Sequence, residues 1–488
     1  MKKLFLAACA VMAIFQFVAC TGAFAQERVG NAKSGATEST YKNYEGSMNN
    51  PFNIISVAPA SQFHIAIEPG KQEIVTGRQT NVNNYATGFP GGAIITAKNT
   101  NLTINVTSTI DTVTSMHWHG LKVVNDQDGP FTPIQPGGSA AFQFSLAEAG
   151  TFWYHPHHRP ILPQLNSGMY APFIVKETYD TAYAGDYILM LDDWALSPEG
   201  TIDDRYTIAH MEIVGSVETV NKRTGEAIYP VELKKGEIVK LRFINASTAQ
   251  LHTLHLDGHE FTVTHLDGHP LTSSFTTRTI TLFPGERADV ELKGIHNSGT
   301  FYIVNERNFG MRIPVVYTGA GRDMQSPFVP PQMKAFPGIA DKAVDLTYVL
   351  ASRMSRGGGG RMGGGRGMMG GRGSGGMRME WTINGLAHPN IPPTRVNVGQ
   401  VYKIRFVNND RMMMTQTSHP MHIHGEHFLV VSVNGTPPPS EMWLDTVEIP
   451  IGQYVDVAIR FDNPGTWMMH CHIIDHEDNG MLTVIIAE

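Results

Sequence analysis

Residues 465–481 of this chain have the sequence GTWMMHCHIIDHEDNGM, in which one cysteine stands between two histidines. Successive residues of a β-strand point to opposite faces, and residues two apart share a face. A strand through this segment therefore presents His470 and His472 on one side and Cys471 on the other. The segment predicts two metal sites that lie on opposite faces of one strand and are joined by a short covalent path.

The cysteine identifies the metal on its own side of the strand. Two imidazoles, a thiolate and a thioether form the donor set of blue copper sites, where a weak axial methionine helps to set the potential. The sequence supplies this set in His419, Cys471, His476 and Met481. An inert buried cysteine is the alternative, and these neighbours argue against it.

Histidine pairs with one residue between them occur four times in the chain. A single pair is a weak signal, and imidazole suits copper, zinc, iron and nickel alike. Four pairs at corresponding positions of a repeat are a strong signal for adjacent metal ions. The pairs are His117 and His119, His155 and His157, His422 and His424, and His470 and His472.

Two short motifs recur three times in the same order, which indicates three domains of one type. The first ends in glycine at Gly120, Gly258 and Gly425, and the second begins with Gly-Thr-aromatic at residues 150, 299 and 465. Short apolar runs alternate with Gly, Pro, Asn and Asp turns, so we expect an all-β chain of three Greek-key sandwich or barrel domains. The predicted boundaries are 45–178, 179–330 and 340–488, with a linker at 331–339.

The middle copy of the repeat lacks key ligands. It has Asp257 where the last copy has His424, and Asn305 where the last copy has Cys471. We therefore expect the middle domain to hold no copper ligands and to act as a structural spacer. Its other histidines, His259, His265 and His269, are interpreted as polar strand and turn residues, with adventitious metal binding as the alternative.

Composition excludes several classes of protein. Hydrophobic residues make up 42% of the 488 residues and charged residues 17%, which is enough for a large core and excludes general disorder. The net charge is −7, so a nucleic-acid partner is not expected. We expect a monomer.

The N-terminus has the features of an export signal. Two lysines precede an apolar run, and Ala23-Phe24-Ala25 forms a small-x-small cleavage site. Residues 1–25 are predicted to be a signal peptide and 26–44 a mobile leader, which indicates a periplasmic protein. Cleavage after Ala25 would leave Cys471 as a single cysteine. Two alternatives remain: a membrane anchor, or lipidation at Cys20, without which no stable membrane insertion is expected.

These motifs resemble those of the multicopper oxidases, which include laccases and cuprous oxidases built from three cupredoxin domains. The resemblance extends over nearly the whole mature chain and implies four copper ions. It implies a type 1 copper held by His419, Cys471, His476 and Met481, and a type 2 copper held by His117 and His422. It also implies a type 3 pair held by His119, His155, His157, His424, His470 and His472.

The resemblance also implies the chemistry. Electrons enter singly at the type 1 site, and the other three coppers reduce dioxygen to two waters. Asp128 and Glu477 match family positions that relay the four protons, a role that needs a carboxyl group near the reacting oxygen. Either could instead orient a ligating histidine.

Residues 353–379 form a low-complexity insert of Gly, Arg, Met and Ser, predicted to be a mobile loop. Thioethers prefer Cu(I), so its methionines are candidate docking groups for that ion. They are Met354, Met362, Met368, Met369, Met377 and Met379. One alternative is that the insert is a solvated linker without function, and another is that it is an RNA-binding segment. Six arginines in the insert weaken the attraction of a cation.

The sequence thus favours an oxidase that converts Cu(I) to Cu(II) with dioxygen, in a role of copper tolerance. A laccase-like oxidase of phenols or other organic reductants is the alternative within the same class. A copper-sequestering protein without turnover is the alternative from a different class. A copper nitrite reductase needs no type 3 pair, for which six histidines are available here.

Overall fold

The structure is a computed structural model. It describes residues 61–85, 92–203, 215–307, 310–332, 336–356, 377–410 and 417–488, together with three short strands between residues 43 and 56. Strands dominate these described residues, in which they form six sheets that pair into three sandwiches. The predicted all-β class with three sandwich domains is confirmed.

The first domain is a sandwich of two sheets with strand orders β5-β4-β7-β9 and β3-β6-β11-β10-β8. Alternating apolar residues of both sheets fill its core, as in β7, where every second residue is buried. The strands up to this point are β1 (Asn43–Tyr44), β2 (Met48–Asn49), β3 (Ile54–Ser56), β4 (Ser61–Val75), β5 (Arg78–Tyr85), β6 (Ala93–Ala97), β7 (Asn101–Ser108), β8 (His117–His119), β9 (Ser139–Ser145), β10 (Gly150–His155) and β11 (Ala171–Lys176).

The middle domain pairs one sheet of order β1-β2-β12-β15-β20-β17-β18, with β13 on β12, and a second of order β14-β22-β21-β16-β19. Its strands are β12 (Asp186–Trp194), β13 (Val217–Val220), β14 (Val231–Lys235), β15 (Ile238–Asn245), β16 (His252–Leu256), β17 (Phe261–Leu266), β18 (His269–Thr277), β19 (Thr279–Leu282), β20 (Arg287–Lys293), β21 (Ser298–Asn305) and β22 (Arg312–Ala320).

The third domain pairs sheets of order β24-β23-β26-β31-β28-β29 and β25-β33-β32-β27-β30. Its strands are β23 (Leu346–Arg356), β24 (Met377–Ile383), β25 (Thr394–Val396), β26 (Val401–Asn408), β27 (His419–Ile423), β28 (Phe428–Val433), β29 (Trp443–Leu444), β30 (Thr446–Ile449), β31 (Tyr454–Arg460), β32 (Gly465–Cys471) and β33 (Leu482–Ala487). The core of this domain is continuous with that of the middle domain.

Helices are short among the described residues. Two α-helices, α1 (Leu162–Asn166) and α2 (Ile474–Asp478), have five residues each, and three 3-10 turns span Asn125–Gln127, Thr178–Ala182 and Gly225–Ala227. No helix in the described part of the chain is long and apolar enough to cross a membrane. Helix α2 matters for function because it carries His476.

Two segments differ from the sequence prediction. Residues 43–44 and 48–49, assigned to the leader and the first domain, instead form β1 and β2, and β2 extends the middle domain's sheet by pairing with β12. Two-residue strands have too little periodicity to be found in a sequence, and backbone hydrogen bonds to an open sheet edge create them. The insert begins and ends in strand, because 353–356 pair with 377–380 in the β23–β24 hairpin. Residues 357–376 lie outside the described part.

Candidate metal centres

The thiolate site lies inside the third domain, where β27, β32 and α2 converge. The Sγ of Cys471 lies 3.4 Å from Nδ1 of His476 and 3.7 Å from Nδ1 of His419, and these two nitrogens are 3.2 Å apart. All three side chains are fully buried. Three donors this close together are what one ion needs. The fourth predicted ligand, Met481, is also buried, and its backbone carbonyl accepts a hydrogen bond from the amide of Cys471.

An indole covers the histidine edge of this site. The ring of Trp381 stacks on His476 at a centroid distance of 3.5 Å and meets His419 edge-on at 5.6 Å. Trp381 lies on β24, the strand that follows the low-complexity insert. The last residues of the insert, Met377–Met379, therefore lie on the same strand as Trp381.

The eight paired histidines meet at the interface of the first and third domains. Each imidazole of the first domain faces one of the third. The rings of His119 and His422 stack at 3.9 Å, as do those of His117 and His424. The other two pairs are His157 with His470, whose Nε2 atoms are 3.2 Å apart, and His155 with His472, whose centroids are 5.5 Å apart. Neither domain alone could assemble this cluster.

Hydrogen bonds fix which nitrogen of each ring faces the centre. The Nδ1 atoms of His117, His155 and His422 donate to the carbonyl oxygens of Asp128, Pro156 and Asp445 at 2.9–3.1 Å. A carbonyl can only accept, so in the neutral ring Nε2 presents a lone pair. Each of these Nε2 atoms is buried and has no partner among the described residues.

His119 is turned the other way round. Its Nε2 donates to Oδ1 of Asp445 at 3.1 Å, which leaves the buried Nδ1 without a partner among the described residues. His119 therefore offers Nδ1 to a metal, whereas His117, His155 and His422 offer Nε2. Spacing in the sequence gives no sign of this reversal.

Two of the carboxylates that flank the cluster are those predicted from the sequence. Oδ2 of Asp128 lies 2.8 Å from Nδ1 of His424, and Oδ1 lies 3.2 Å from Nδ1 of His117. Oε2 of Glu477 lies 2.9 Å from Nδ1 of His470, and Oε1 lies 3.7 Å from Nδ1 of His157. Each carboxylate thus touches one histidine from each domain and is buried.

A third carboxylate, Asp445, was missed by the sequence analysis. It contacts His119 through Oδ1 and His422 through its carbonyl oxygen, and it receives two hydrogen bonds of 2.7 and 2.8 Å from Arg287 of the middle domain. Burial raises the pKa of Asp445, but Arg287 and His119 outweigh burial and hold it well below the usual value. The sequence signal, one acid between Leu444 and Val447, is too weak to find it.

Burial keeps four imidazoles of the cluster neutral, those of His155, His157, His422 and His472. It lowers the pKa of His422 to about 4 and that of His155, His157 and His472 well below the usual value. Neutral imidazole is the form that binds a metal. The lone pairs, the neutral rings and the thiolate beside two imidazoles fit copper, and the residues present can hold it at both places.

The methionines predicted to dock Cu(I) are only partly described. Met354 is 40% exposed and lies directly opposite the half-buried Met379 in the β23–β24 hairpin. Met377 lies at the start of β24. Met362, Met368 and Met369 lie outside the described residues.

The middle domain has a hydrogen-bond network where the third domain has its thiolate site. Leu254 pairs with Asn305 as Met421 pairs with Cys471, so Asn305 takes the place of the cysteine. Its Nδ2 lies 3.1 Å from Nδ1 of His252 and donates to Glu218, while Nε2 of His252 bonds Ser247. Both nitrogens of this histidine are engaged, as expected for a spacer.

Acid will destabilise the middle domain through His265. Burial lowers the pKa of this histidine to about 3, and the positive charge of Lys240 adds to the effect. Between pH 6.5 and 4 the unfolded chain binds a proton at this residue and the folded chain does not, so stability falls as pH falls. We expect wild type to lose up to about 1.4 kcal/mol per pH unit relative to His265→Gln, measured by urea unfolding. Parallel pH profiles of the two proteins would contradict the shift.

Comparison with known families agrees with this geometry. Three family models, each described as multicopper oxidase, match residues 66–180, 185–322 and 371–488. The multicopper oxidase MmcO of Mycobacterium tuberculosis is 28% identical over 433 residues, covering 82% of each chain. Laccase-3 of Arabidopsis thaliana is 24% identical and covers 88% of this chain and 91% of its own.

Solved structures are similar over the same span. A multicopper oxidase from Pseudomonas thermotolerans has a TM-score of 0.72 and 25% identity, covering 88% of this chain and 100% of its own. A multicopper oxidase from Campylobacter jejuni, described as a metallo-oxidase, has a TM-score of 0.73 and 20% identity, covering 93% and 98%. At that identity the second comparison shows the fold alone.

Proposed function

Because this chain belongs to the multicopper oxidase family, and is an oxidoreductase that uses dioxygen, we propose that its reductant is Cu(I). Family members use copper or organic reductants, and relatives named laccase and metallo-oxidase both match this chain. The proposed product is Cu(II), and the proposed role is copper tolerance. Four coppers are proposed: one in the thiolate site and three in the histidine cluster, assigned as in the resemblance.

A methionine pair near the end of the β23–β24 ladder that borders the insert carries the proposal. Met354 and Met379 are direct cross-strand partners, which brings their side chains to the same face with Cβ atoms about 5 Å apart. Trp381 lies two residues after Met379 on that face and stacks on His476. Soft thioethers therefore lie beside the edge of the thiolate site.

The positive charge of the insert is partly offset here. Nη2 of Arg353 lies 2.8 Å from Oε2 of Glu380 across the same hairpin. The pair is half exposed, so it contributes little to stability. It does reduce the repulsion that Arg353 exerts on an approaching Cu(I) ion.

Oxygen uptake with a buffered Cu(I) complex and with a simple phenol tests the proposed reductant. One variant removes residues 357–376, and another carries Met354→Leu and Met379→Leu, which keep side-chain volume. We expect both to raise KM for Cu(I) at least about tenfold, a loss of about 1.4 kcal/mol of binding, and to leave phenol oxidation unchanged. Met324→Leu, in the middle domain, is the matched control.

Other outcomes of this test point elsewhere. If phenol is the better substrate and neither variant changes Cu(I) oxidation, the chain is a laccase-like oxidase. If copper-loaded protein consumes no oxygen with either reductant, it sequesters copper without turnover.

When bound, the copper ions supply one-electron redox chemistry and the binding of dioxygen. The chain's own task is then to deliver protons, and we propose Asp128 and Glu477 for it. Both carboxylates contact the Nδ1 atoms of cluster histidines, so each can pass protons towards the cluster while holding the rings in place. Asp128 sits at the end of a 3-10 turn and Glu477 in α2.

Replacing Glu477 by glutamine separates the two roles. Glutamine keeps the shape and a hydrogen-bond acceptor but cannot take up a proton, so we expect full copper content with turnover lowered about 10²-fold or more. Copper analysis and oxygen uptake measure this. Loss of copper from Glu477→Gln with normal turnover per bound copper would instead make Glu477 an orienting residue.

Export to the periplasm is proposed from residues 1–25, which lie outside the described part. Mass spectrometry of the exported protein should find Gln26 at its N-terminus. An acylated Cys20 would show membrane anchoring by lipid instead.

A further inference from the structure

The three domains meet around a second group of histidine and carboxylate side chains, separate from the proposed copper ligands. They line a cleft of about 560 Å³. The first domain contributes Glu148, the middle domain His269 and the third domain His427. None of the three belongs to the ten histidines, the cysteine or the methionine assigned to copper.

In its neutral form, His427 presents a lone pair towards a carboxylate. Its Nε2 donates to the carbonyl of Gly120 at 2.9 Å, so in the neutral ring Nδ1 carries no proton. That Nδ1 lies 3.4 Å from Oε2 of Glu148. Two acceptors facing each other repel, and a cation between them turns the repulsion into attraction.

The separation suits a metal ion. Donors that each lie about 2.0–2.2 Å from one ion at a tetrahedral angle are about 3.4 Å apart. A direct hydrogen bond between nitrogen and oxygen is shorter, near 2.9 Å. The contact therefore has the span of two ligands that share an ion.

His269 supplies a third donor. Its ring centroid is 3.8 Å from that of His427, with the two planes at 60°. The side chain is 93% buried, and its Nε2 has no partner among the described residues. Burial, then the neighbouring His427, lowers its pKa, so the ring is neutral and able to bind an ion.

Glu426, a buried acid that also lines the cleft, is already engaged. Glu426 lies 2.5 Å from Nζ of Lys122 and accepts two backbone N–H bonds of 2.7 Å, from Asp462 and Asn463. It contributes structure rather than a ligand. The half-exposed Glu148 leaves one side of the site open, through which an ion can enter.

We propose that His269, His427 and Glu148 form a mononuclear site for a divalent ion of the zinc and copper(II) class. Two imidazoles and one carboxylate are the donors these ions take in proteins, with water in the remaining position. One ligand comes from each domain, so a bound ion would link the three domains and stabilise their packing. It also fastens the Gly120 loop, which directly follows the cluster ligand His119.

Zinc binding to protein that holds four coppers per chain, after a chelator has removed any weakly held further copper, tests the site without redox interference or competition from copper(II). After equilibrium dialysis against micromolar Zn²⁺, we expect one zinc per chain in wild type and a midpoint of thermal unfolding raised by several degrees. His269→Gln and His427→Gln should each retain almost no zinc, and Glu148→Gln should bind at least about tenfold more weakly. The matched control is His64→Gln, on the outer sheet of the first domain, which should bind as wild type does.

Two results would overturn the proposal. One is zinc retention by His269→Gln and Glu148→Gln equal to that of wild type. The other is no zinc in wild type, which would make the His427–Glu148 contact a protonated ion pair. Glu148 is half exposed, so Glu148→Gln remains informative even if a histidine variant fails to fold.

Discussion

Cys471→Ser should abolish oxygen consumption with every reductant while leaving the histidine cluster able to hold copper. The thiol faces His419 and His476, whereas its neighbours His470 and His472 face the other domain. Serine removes the one soft anionic donor of the thiolate site and the covalent route from that site to the cluster ligands. We expect turnover to fall by at least about 10³-fold, equivalent to a barrier about 4 kcal/mol higher.

Copper analysis, visible absorption and oxygen uptake measure this prediction. The variant should lose about one copper per chain and the strong thiolate absorption. Met442→Leu, a buried methionine of the same apolar core, is the control and should keep both. A Cys471→Ser protein that retains its colour and turnover would show that the cysteine is not a ligand.

Asp445→Asn should weaken both the fold and the cluster. Asp445 joins Arg287 of the middle domain to His119 of the first, and all three side chains are buried. Removing one partner of a buried ion pair leaves the other charge uncompensated, which typically costs about 3–5 kcal/mol of unfolding free energy. Loss of the acceptor for His119 should lower copper affinity of the cluster about 10–100-fold.

A double variant separates these two effects. Arg287→Met with Asp445→Leu removes both charges of this pair, so stability should recover in part relative to Asp445→Asn while copper loading stays poor. The recovery is partial because the buried Asp267, 3.5 Å from Nη1 of Arg287, loses the same partner. Urea unfolding and copper content report the two properties independently. Asp462→Asn, which breaks the exposed pair with Arg460, serves as control and should change stability by less than about 1 kcal/mol. Wild-type stability and loading in Asp445→Asn would refute the positioning role.

Much of the candidate site could be predicted because copper ligands occur in short, recognisable sequence patterns. The alternation of His470, Cys471 and His472 within one strand encodes two faces in three residues. The absence of a copper site from the middle domain was also predictable, because Asn305 occupies the cysteine position and bonds His252. The ends of the low-complexity insert were less predictable. Residues 353–356 and 377–380 form strands through cross-strand hydrogen bonds, and a sequence of Gly, Arg and Met gives no strand signal.

The sequence by itself determined the donor atoms, the three-fold repeat and the β class, because the two-residue period of a strand and the chemistry of thiolate and imidazole act over a few residues. The tertiary structure alone decided which nitrogen of His119 faces the centre, and that Asp445 joins Arg287 to it. Asp445 is 158 positions from Arg287 and 326 positions from His119, and these residues meet only where the domains pack together. The same is true of His269, His427 and Glu148, which no spacing rule connects.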